Sequence, residues 1–173
     1  METKLISSPE HLQFRPITPA DLPLINRLMR AGKGYWGYGE EGLDRFMQTF
    51  GIANDTYFDT AFGFISESLQ EVMGYYLFKT NENTLELDHF FLETKLIGQG
   101  YGRQLWNHCV RQAQEKGWTE FTFWSDPHSL GFYEHMGAIK IEERPMVTLL
   151  GHMAPIMRFV VPIKTREANN EEA

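Results

Sequence analysis

Three small groups of residues in this chain have types and spacings that could do chemistry. The first is Gly98-Gln99-Gly100-Tyr101-Gly102, three glycines in five residues at the head of a segment with helical periodicity. Such a turn leaves backbone N–H groups unpaired at a helix start and aims them at whatever lies outside. The missing side chains at Gly98, Gly100 and Gly102 let a ligand approach the backbone, and a pyrophosphate suits such a place. A plain tight turn explains the same spacing, so the turn alone leaves both readings standing. The better-known phosphate motifs fail. The sixth position of Gly-x-Gly-x-x-Gly is Arg103 counted from Gly98 and Leu105 counted from Gly100. No Gly-Lys-Ser/Thr follows, which excludes a P-loop.

The second group lies on Thr84 to Leu92, which reads as a strand and carries Glu86, Asp88 and His89. Regular alternation puts Glu86 and Asp88 on one face and His89 on the other. Neighbouring carboxylates raise each other's pKa, which suits a general base near neutral pH, and Glu86, Asp88 and His89 are the candidates. The alternative is that the acidic pair recognises an ammonium group or caps a strand end. The third group is Tyr35-Trp36-Gly37-Tyr38, within a stretch holding four glycines from Gly32 to Gly39. Aromatic faces hold cations or apolar bodies. A hydrophobic plug over the core, or a homodimer contact, would use the same residues.

The elements that must position these groups are legible in outline. His11 to Ile17 alternates and precedes Thr18-Pro19-Ala20-Asp21, an N-cap with proline at the first helical position. The helix that follows carries Leu22, Ile25, Leu28 and Met29 and is expected to stop before Gly32. A second helix is expected from Glu40 to Phe50. Thr60 to Ser66, Val72 to Lys79 and Thr84 to Leu92 read as strands, with turns near Glu67–Gln70 and at Asn81-Glu82-Asn83. The glycine turn opens a helix to about Lys116 whose inner face is Leu105, Trp106, Cys109, Val110 and Ala113. Thr119 to Ser125 is a strand, Leu130 to Met136 a short helix, and Ala138 to Glu142 and Met157 to Ile163 closing strands.

At 173 residues the chain suits one domain, and 42% apolar with 23% charged residues is ordinary for a globular one. Its formal charge of −7 argues against nucleic acid or an anionic membrane as partner, since both need a positive field. A local anion site built from backbone N–H groups stays open. The one cysteine, Cys109, allows no internal disulfide and no Cys/His zinc site, and scattered histidines show no ligand spacing, so no metal is expected. The start of the chain lacks the basic and apolar regions of a signal peptide, and no apolar run is long enough to span a membrane. The expectation is a soluble cytoplasmic protein.

Two segments in order carry a resemblance. Ile97-Gly98-Gln99-Gly100-Tyr101-Gly102 resembles motif A of the Gcn5-related N-acetyltransferases, Gln/Arg-x-x-Gly-x-Gly/Ala. Asp126-Pro127-His128-Ser129-Leu130-Gly131-Phe132-Tyr133-Glu134-His135-Met136-Gly137-Ala138 resembles that family's motif B, Asn-Ala-x-x-Phe-Tyr-x-x-x-Gly-Phe. The departures are Ile97 where Gln or Arg is usual, His128 where Asn is common, and Ala138 for a frequent Phe. The resemblance implies an α/β acyl-CoA N-acyltransferase fold: a central mixed, mostly antiparallel sheet flanked by helices on both faces. The domain would span residues 11–163, between an N-terminal extension (1–10) and a polar tail (164–173).

The resemblance further implies acetyl-CoA as co-substrate and direct attack by a primary amine of a small molecule or peptide. The turn Ile97, Gly98, Gln99, Gly100, Tyr101, Gly102, with Arg103 in the first helical turn, would grip the pyrophosphate, and His128 would lie beside the cofactor. The N–H of Phe91 or Leu92 would polarise the thioester carbonyl. Tyr133 stands where the family places the tyrosine facing the leaving thiolate. Glu86 stands 11 residues before Ile97, where one branch of the family carries its base, with Asp88 as the second catalytic candidate. Tyr35, Trp36, Tyr38 and His89 would line the acceptor pocket. The rival readings are a non-catalytic acyl-CoA-binding module on the same fold and, weakened by the failed fingerprint, a dinucleotide-binding redox protein.

Overall fold

The computed structural model describes residues 11–68, 71–82 and 84–164. The expected extension 1–10, all of the tail beyond Lys164, and Leu69, Gln70 and Asn83 of the expected turns lie outside the described residues.

The strands are β1 (Gln13–Pro16), β2 (Ala61–Glu67), β3 (Val72–Asn81), β4 (Thr84–Leu92), β5 (Glu120–Trp124), β6 (Ile139–Pro145) and β7 (Met153–Val160). They form one sheet in the order β1-β2-β3-β4-β5-β7-β6. Every adjacent pair is antiparallel except β4 and β5. The helices are α1 (Leu22–Gly34), α2 (Glu40–Phe50), α3 (Tyr101–Glu115) and α4 (Leu130–His135). Ile25 and Leu28 of α1 bury against Ile65, Tyr75 and Leu77 on one face of the sheet. On the other face, Leu105, Trp106, Cys109 and Ala113 of α3 and Tyr133 of α4 close over Tyr76, Phe78, Phe121 and Phe123. Helices therefore cover both faces of a mixed, mostly antiparallel sheet, as the sequence leads one to expect.

Three local features differ from expectation, and each shapes the site. Helix α1 does not stop before Gly32 but runs to Gly34. Gly32 lies inside the helix where the Phe91 ring of β4 packs so closely that a Cβ would meet it at 2.7 Å. This brings Lys33 onto the inner stripe of α1 as the i+8 partner of Ile25. Strand β7 starts at Met153, four residues before the expected Met157, and β6 runs on to Pro145. The connection 146–152 thereby becomes a loop folded against α2, where Arg45 Nε donates to Thr148 O. Finally, Leu77 pairs with His89 while Phe78 pairs with Leu87, which leaves Asp88 as the extra residue of a β-bulge.

Beta-strands 4 and 5 are joined at a single register pair, Glu86 with Thr122. Beyond it no further pairing is present among the described residues, and the two strands part. A strand that loses its neighbour exposes backbone N–H and C=O groups. Here that exposed stretch, Leu87 to Leu92, faces a cavity.

Candidate active site

The cavity between the parted strands has a volume of about 740 Å³. Its walls come from β4 and β5, the start of α3, α4, the facing side of α1 and α2, and the β6–β7 loop. It thus joins the glycine turn to the acidic strand and to the loop after α1.

At one end lies the glycine turn. Gly100 is the N-cap of α3 at φ +89°, in the left-handed region, and Gly98 sits at φ +81° with open space where its Cβ would be. Among the described residues no side chain caps α3, so the N–H groups of Tyr101, Gly102 and Arg103 at its start have no side-chain partner there. Ile97, Gly98, Gly100, Gly102 and Arg103 line the cavity. Gln99 and Tyr101 do not: the Gln99 N–H donates to Leu96 O, its side chain to Lys95 O, and Tyr101 packs on the Leu12–Met73–Leu96 cluster. The two side chains therefore lie away from the cavity wall, while the Tyr101 N–H belongs to the uncapped first turn of α3. Gly102 lines the cavity and is also a close packing point, because a Cβ there would meet Phe132 at 3.2 Å and Leu92 at 3.4 Å. It lets α3 approach α4 and β4. Arg103 Nη2 lies 3.1 Å from His135 Nε2, which sets a cationic side chain at the mouth of this end.

Along the wall, Glu93 N–H donates to Met73 O of β3. Strand alternation then commits the Phe91 N–H to β3 and turns the Leu92 and Phe90 N–H groups toward the gap left by β5. Of the two donors the sequence leaves open, Leu92 is the one that faces the cavity. Opposite it stands Tyr133, 8% exposed, among the rings of Phe123 (4.6 Å), Phe132 (5.1 Å), Trp106 (5.6 Å) and Phe90 (5.9 Å). Tyr133 lines the cavity, and no described residue hydrogen-bonds its hydroxyl. Burial drives its pKa well above that of a free phenol, so it holds its proton throughout the working range.

The acidic group departs from the expected alternation. Because Asp88 is the bulged residue, His89 lies on the same side as Glu86 and Asp88, not opposite them. His89 Nε2 is 3.6 Å from Asp88 Oδ2, and Nδ1 is 3.1 Å from the Tyr75 hydroxyl. Desolvation lowers the His89 pKa to about 4, outweighing the attraction of Asp88, so the ring is neutral at pH 7. The Tyr57 hydroxyl donates to Asp88 Oδ2 at 2.5 Å and fixes that carboxylate. Glu86 has no hydrogen bond from a described residue. Burial first, then the charge of Asp88, raise its pKa above the ordinary glutamate value.

The aromatic group divides. Trp36 lines the cavity, whereas Tyr35 is 49% exposed and only leans its edge on Trp36. Tyr38 reaches the site through its hydroxyl, which donates to Asp126 Oδ2 at 2.9 Å. Asp126 is the hub of a cluster that sequence reasoning missed. Lys33 Nζ donates to Oδ2 at 2.6 Å, and both side chains are nearly buried, 10% and 9% exposed. His128 Nδ1 is 2.7 Å from Oδ1, and the His128 ring stacks on Trp36 at 5.1 Å and 4°. Burial alone would raise the Asp126 pKa, but the Lys33 charge and the bonds from Lys33 and His128 outweigh it and hold it low. The one sequence signal for Lys33 is its place on the apolar stripe of α1. Asp126 reads as a turn cap, which it also is, accepting from His128 N–H at 3.0 Å.

Cys109 is buried in the α3 core, with its thiol pKa raised by desolvation, and packs there rather than acting as a nucleophile. Among the described residues no group of three or more His, Cys, Asp or Glu side chains is arranged to hold a metal ion. No described helix is long and apolar enough to cross a membrane.

Comparison with known proteins places this geometry. Residues 38–148 match the family model described as the acetyltransferase (GNAT) domain. The fold is similar to that of the PaiA N-acetyltransferase of Thermoplasma acidophilum in complex with coenzyme A. That pair has a TM-score of 0.68 at 15% identity over 86% of this chain and 98% of that one. A GNAT family acetyltransferase of Elizabethkingia anophelis with acetyl-CoA bound gives 0.61 at 16%, over 88% and 99%. The ribosomal-protein-S18-alanine N-acetyltransferase of Escherichia coli gives 0.64 at 14%, over 90% and 97%. At such identities the likeness is one of fold. Among curated proteins no sequence matches significantly.

Proposed function

The chain belongs to the GNAT acetyltransferase family, and from that premise we propose that it transfers an acetyl group from acetyl-CoA to a primary amine by direct attack. The observation that carries this reading is the continuity of one cavity. An uncapped helix start with left-handed glycines lies at one end, a buried phenol with a free hydroxyl on the wall, and a carboxylate of raised pKa on the other side.

The residues fit a pyrophosphate-bearing thioester. Open space at Gly98, the αL cap at Gly100 and the free N–H groups of α3 form an anion cradle that uses no side-chain charge, and Arg103 adds a cation at its edge. Ile97, in place of a side-chain donor, leaves this grip to the backbone. When bound, acetyl-CoA supplies an activated acetyl group whose sulfur leaves as thiolate.

The chain's own groups do the rest. The Leu92 N–H donates to the carbonyl oxygen as it gains charge, a preorganised donor of the kind worth about 2.7–4 kcal/mol in other acyl transfers. Glu86 accepts a proton from the incoming ammonium, and its raised pKa brings it closer to the working pH than an ordinary glutamate. Asp88, fixed by Tyr57, adds negative charge that draws the ammonium in. The amine nitrogen bonds to the carbonyl carbon, the C–S bond breaks, and the Tyr133 hydroxyl donates to the departing sulfur. A free phenol near pKa 10 is a weaker acid than a thiol near 8.5, and burial weakens it further. Tyr133 is therefore a hydrogen-bond donor to the thiolate, and the second proton, shed by the nitrogen as the C–S bond breaks, reaches the sulfur through water.

Net charge −7 supports an amine of a small molecule or peptide over a nucleic-acid-bound one. A cytoplasmic site of action accords with the lone buried thiol. The test is thiol release from acetyl-CoA against a panel of amines, with cofactor binding measured separately by calorimetry. Saturable acetyl-CoA binding without release on any amine would favour the rival, a non-catalytic acyl-CoA-binding module.

A further inference from the structure

The acceptor half of the cavity has a charge inventory that restricts what can occupy it. Its charged side chains are Glu86, Asp88, Lys33 and Asp126, with Arg103 away at the glycine end. Lys33 and Asp126 neutralise each other at 2.6 Å. Lys79 pairs with Glu86 across the β3–β4 ladder, but its ammonium lies 5.8 Å over the Tyr57 ring, and Lys79 is not part of the cavity wall. Two carboxylates less one nearby lysine leave a deficit of one positive charge. No cation in this half is free to receive an anion, because the single lysine is already consumed.

Beside the polar His89, Ser125, His128 and Thr148, much of the remaining wall is apolar. Met29, Trp36, Phe46, Phe50, Val147 and Leu149 face the cavity from α1, the α1–α2 connection, α2 and the β6–β7 loop. Phe50 and Val147 remain 44% and 74% exposed, apolar surface left at a rim where a ligand body would cover it. Trp36 is held flat by its stack on His128, which is itself tied to Asp126. The ring is thus preorganised as a wall, at little entropic cost to a binding partner.

We propose, on the acetyl-transfer reading above, that the acceptor is a primary monoamine whose single ammonium is joined to an aromatic or similarly apolar body. A zwitterionic amino acid would bring a carboxylate to a half-cavity with no free cation and two carboxylates. A polyamine would bring a second ammonium to a half-cavity whose deficit of one positive charge the first has already met. A peptide N-terminus would lay polar amides on the same apolar wall. The Lys33–Asp126 pair takes part by keeping its own wall neutral, and Trp36 is the specificity determinant.

The test uses the full chain with saturating acetyl-CoA and follows thiol release with phenethylamine, phenylalanine, spermidine and an alanine tripeptide amide. Phenethylamine and phenylalanine differ only by the carboxylate. The expected kcat/KM for phenethylamine exceeds each of the others by at least about tenfold. Trp36→Ala should lower kcat/KM for phenethylamine roughly 10–100-fold, a larger loss than for ethylamine. Phe50→Ala, at the rim, serves as the second variant if Trp36→Ala fails to fold. A preference for phenylalanine, spermidine or the peptide overturns this inference and leaves acetyl transfer standing. So does an equal loss on phenethylamine and ethylamine. Release with none of the amines overturns both.

Discussion

Replacing Asp126 by Asn should cost far more than a surface substitution, and the structure sets the scale. Lys33 Nζ sits 2.6 Å from Asp126 Oδ2, with side chains 10% and 9% exposed. Breaking a buried pair by removing one partner leaves the other charge uncompensated, which costs about 3–5 kcal/mol. At about 2–4 °C per kcal/mol for a domain of this size, Tm should fall by roughly 6–20 °C. The loss should be repaired by a second change that removes the stranded charge. Lys33→Met in the Asp126→Asn background should restore most of the stability, with a coupling energy of about 2 kcal/mol or more in the double-mutant cycle. Urea unfolding of the four proteins at pH 7 measures this. The pH dependence follows from the depressed Asp126 pKa. Its contribution is complete above the unfolded carboxylate value of about 3.9 and is lost as pH falls through the lower folded value. The Asn variant should therefore lose less stability than the parent on acidification below about pH 4. An Asp126→Asn protein within about 0.5 kcal/mol of the parent would refute the reasoning, because it would mean water already screens the pair.

Further outcomes are expected at the reaction centre. Tyr133→Phe should lower kcat roughly 10–1,000-fold with acetyl-CoA affinity nearly unchanged, since only the hydroxyl that meets the leaving sulfur is lost; unchanged kcat would remove Tyr133 from the mechanism. Gly100→Val places a β-branched residue at φ +89° in the cradle and should abolish acetyl-CoA binding by calorimetry in a protein that still shows native circular dichroism. Normal binding would move the phosphate site elsewhere. Glu86→Gln should remove the ascending limb of the kcat/KM–pH profile, a limb lying above the ordinary glutamate pKa of about 4.3 because burial and Asp88 raise it. The same substitution should raise Tm at pH 7. A folded-state pKa above the unfolded one means stability is lost as pH rises through it, and Gln escapes that loss. A lower Tm would contradict the desolvated environment assigned to Glu86.

What was legible in the chain was what local spacing dictates. The glycine turn and Tyr133 sit in short segments whose residue order constrains the backbone directly, and the structure brings them to one cavity. The helix Glu40–Phe50 and the strand Thr84–Leu92 match to the residue, because apolar periodicity and flanking turns bound them closely. The side of the strand on which His89 lies was not legible. A period-two reading assumes an unbroken ladder, and the bulge at Asp88 shifts the phase by one residue. Lys33 and Asp126 stand 93 residues apart and meet only because α1 and the end of β5 converge on the same cavity. Nothing local marks either as a partner of the other. The β6–β7 loop went unread for a related reason: residues 146–149 line the cavity through the path of two strands, not through a motif of their own.

The central claim is that one cavity brings a thioester and an amine together for direct transfer. Initial velocities of thiol release, with acetyl-CoA and phenethylamine varied against each other and the product identified by mass, test it most directly. The account expects double-reciprocal lines that intersect, release that depends on both substrates, and an amine product carrying one acetyl group. Saturable acetyl-CoA binding with no amine-dependent release would contradict it. So would parallel lines, the pattern of an acetylated enzyme, since the one thiol, Cys109, lies buried in the α3 core away from the cavity wall.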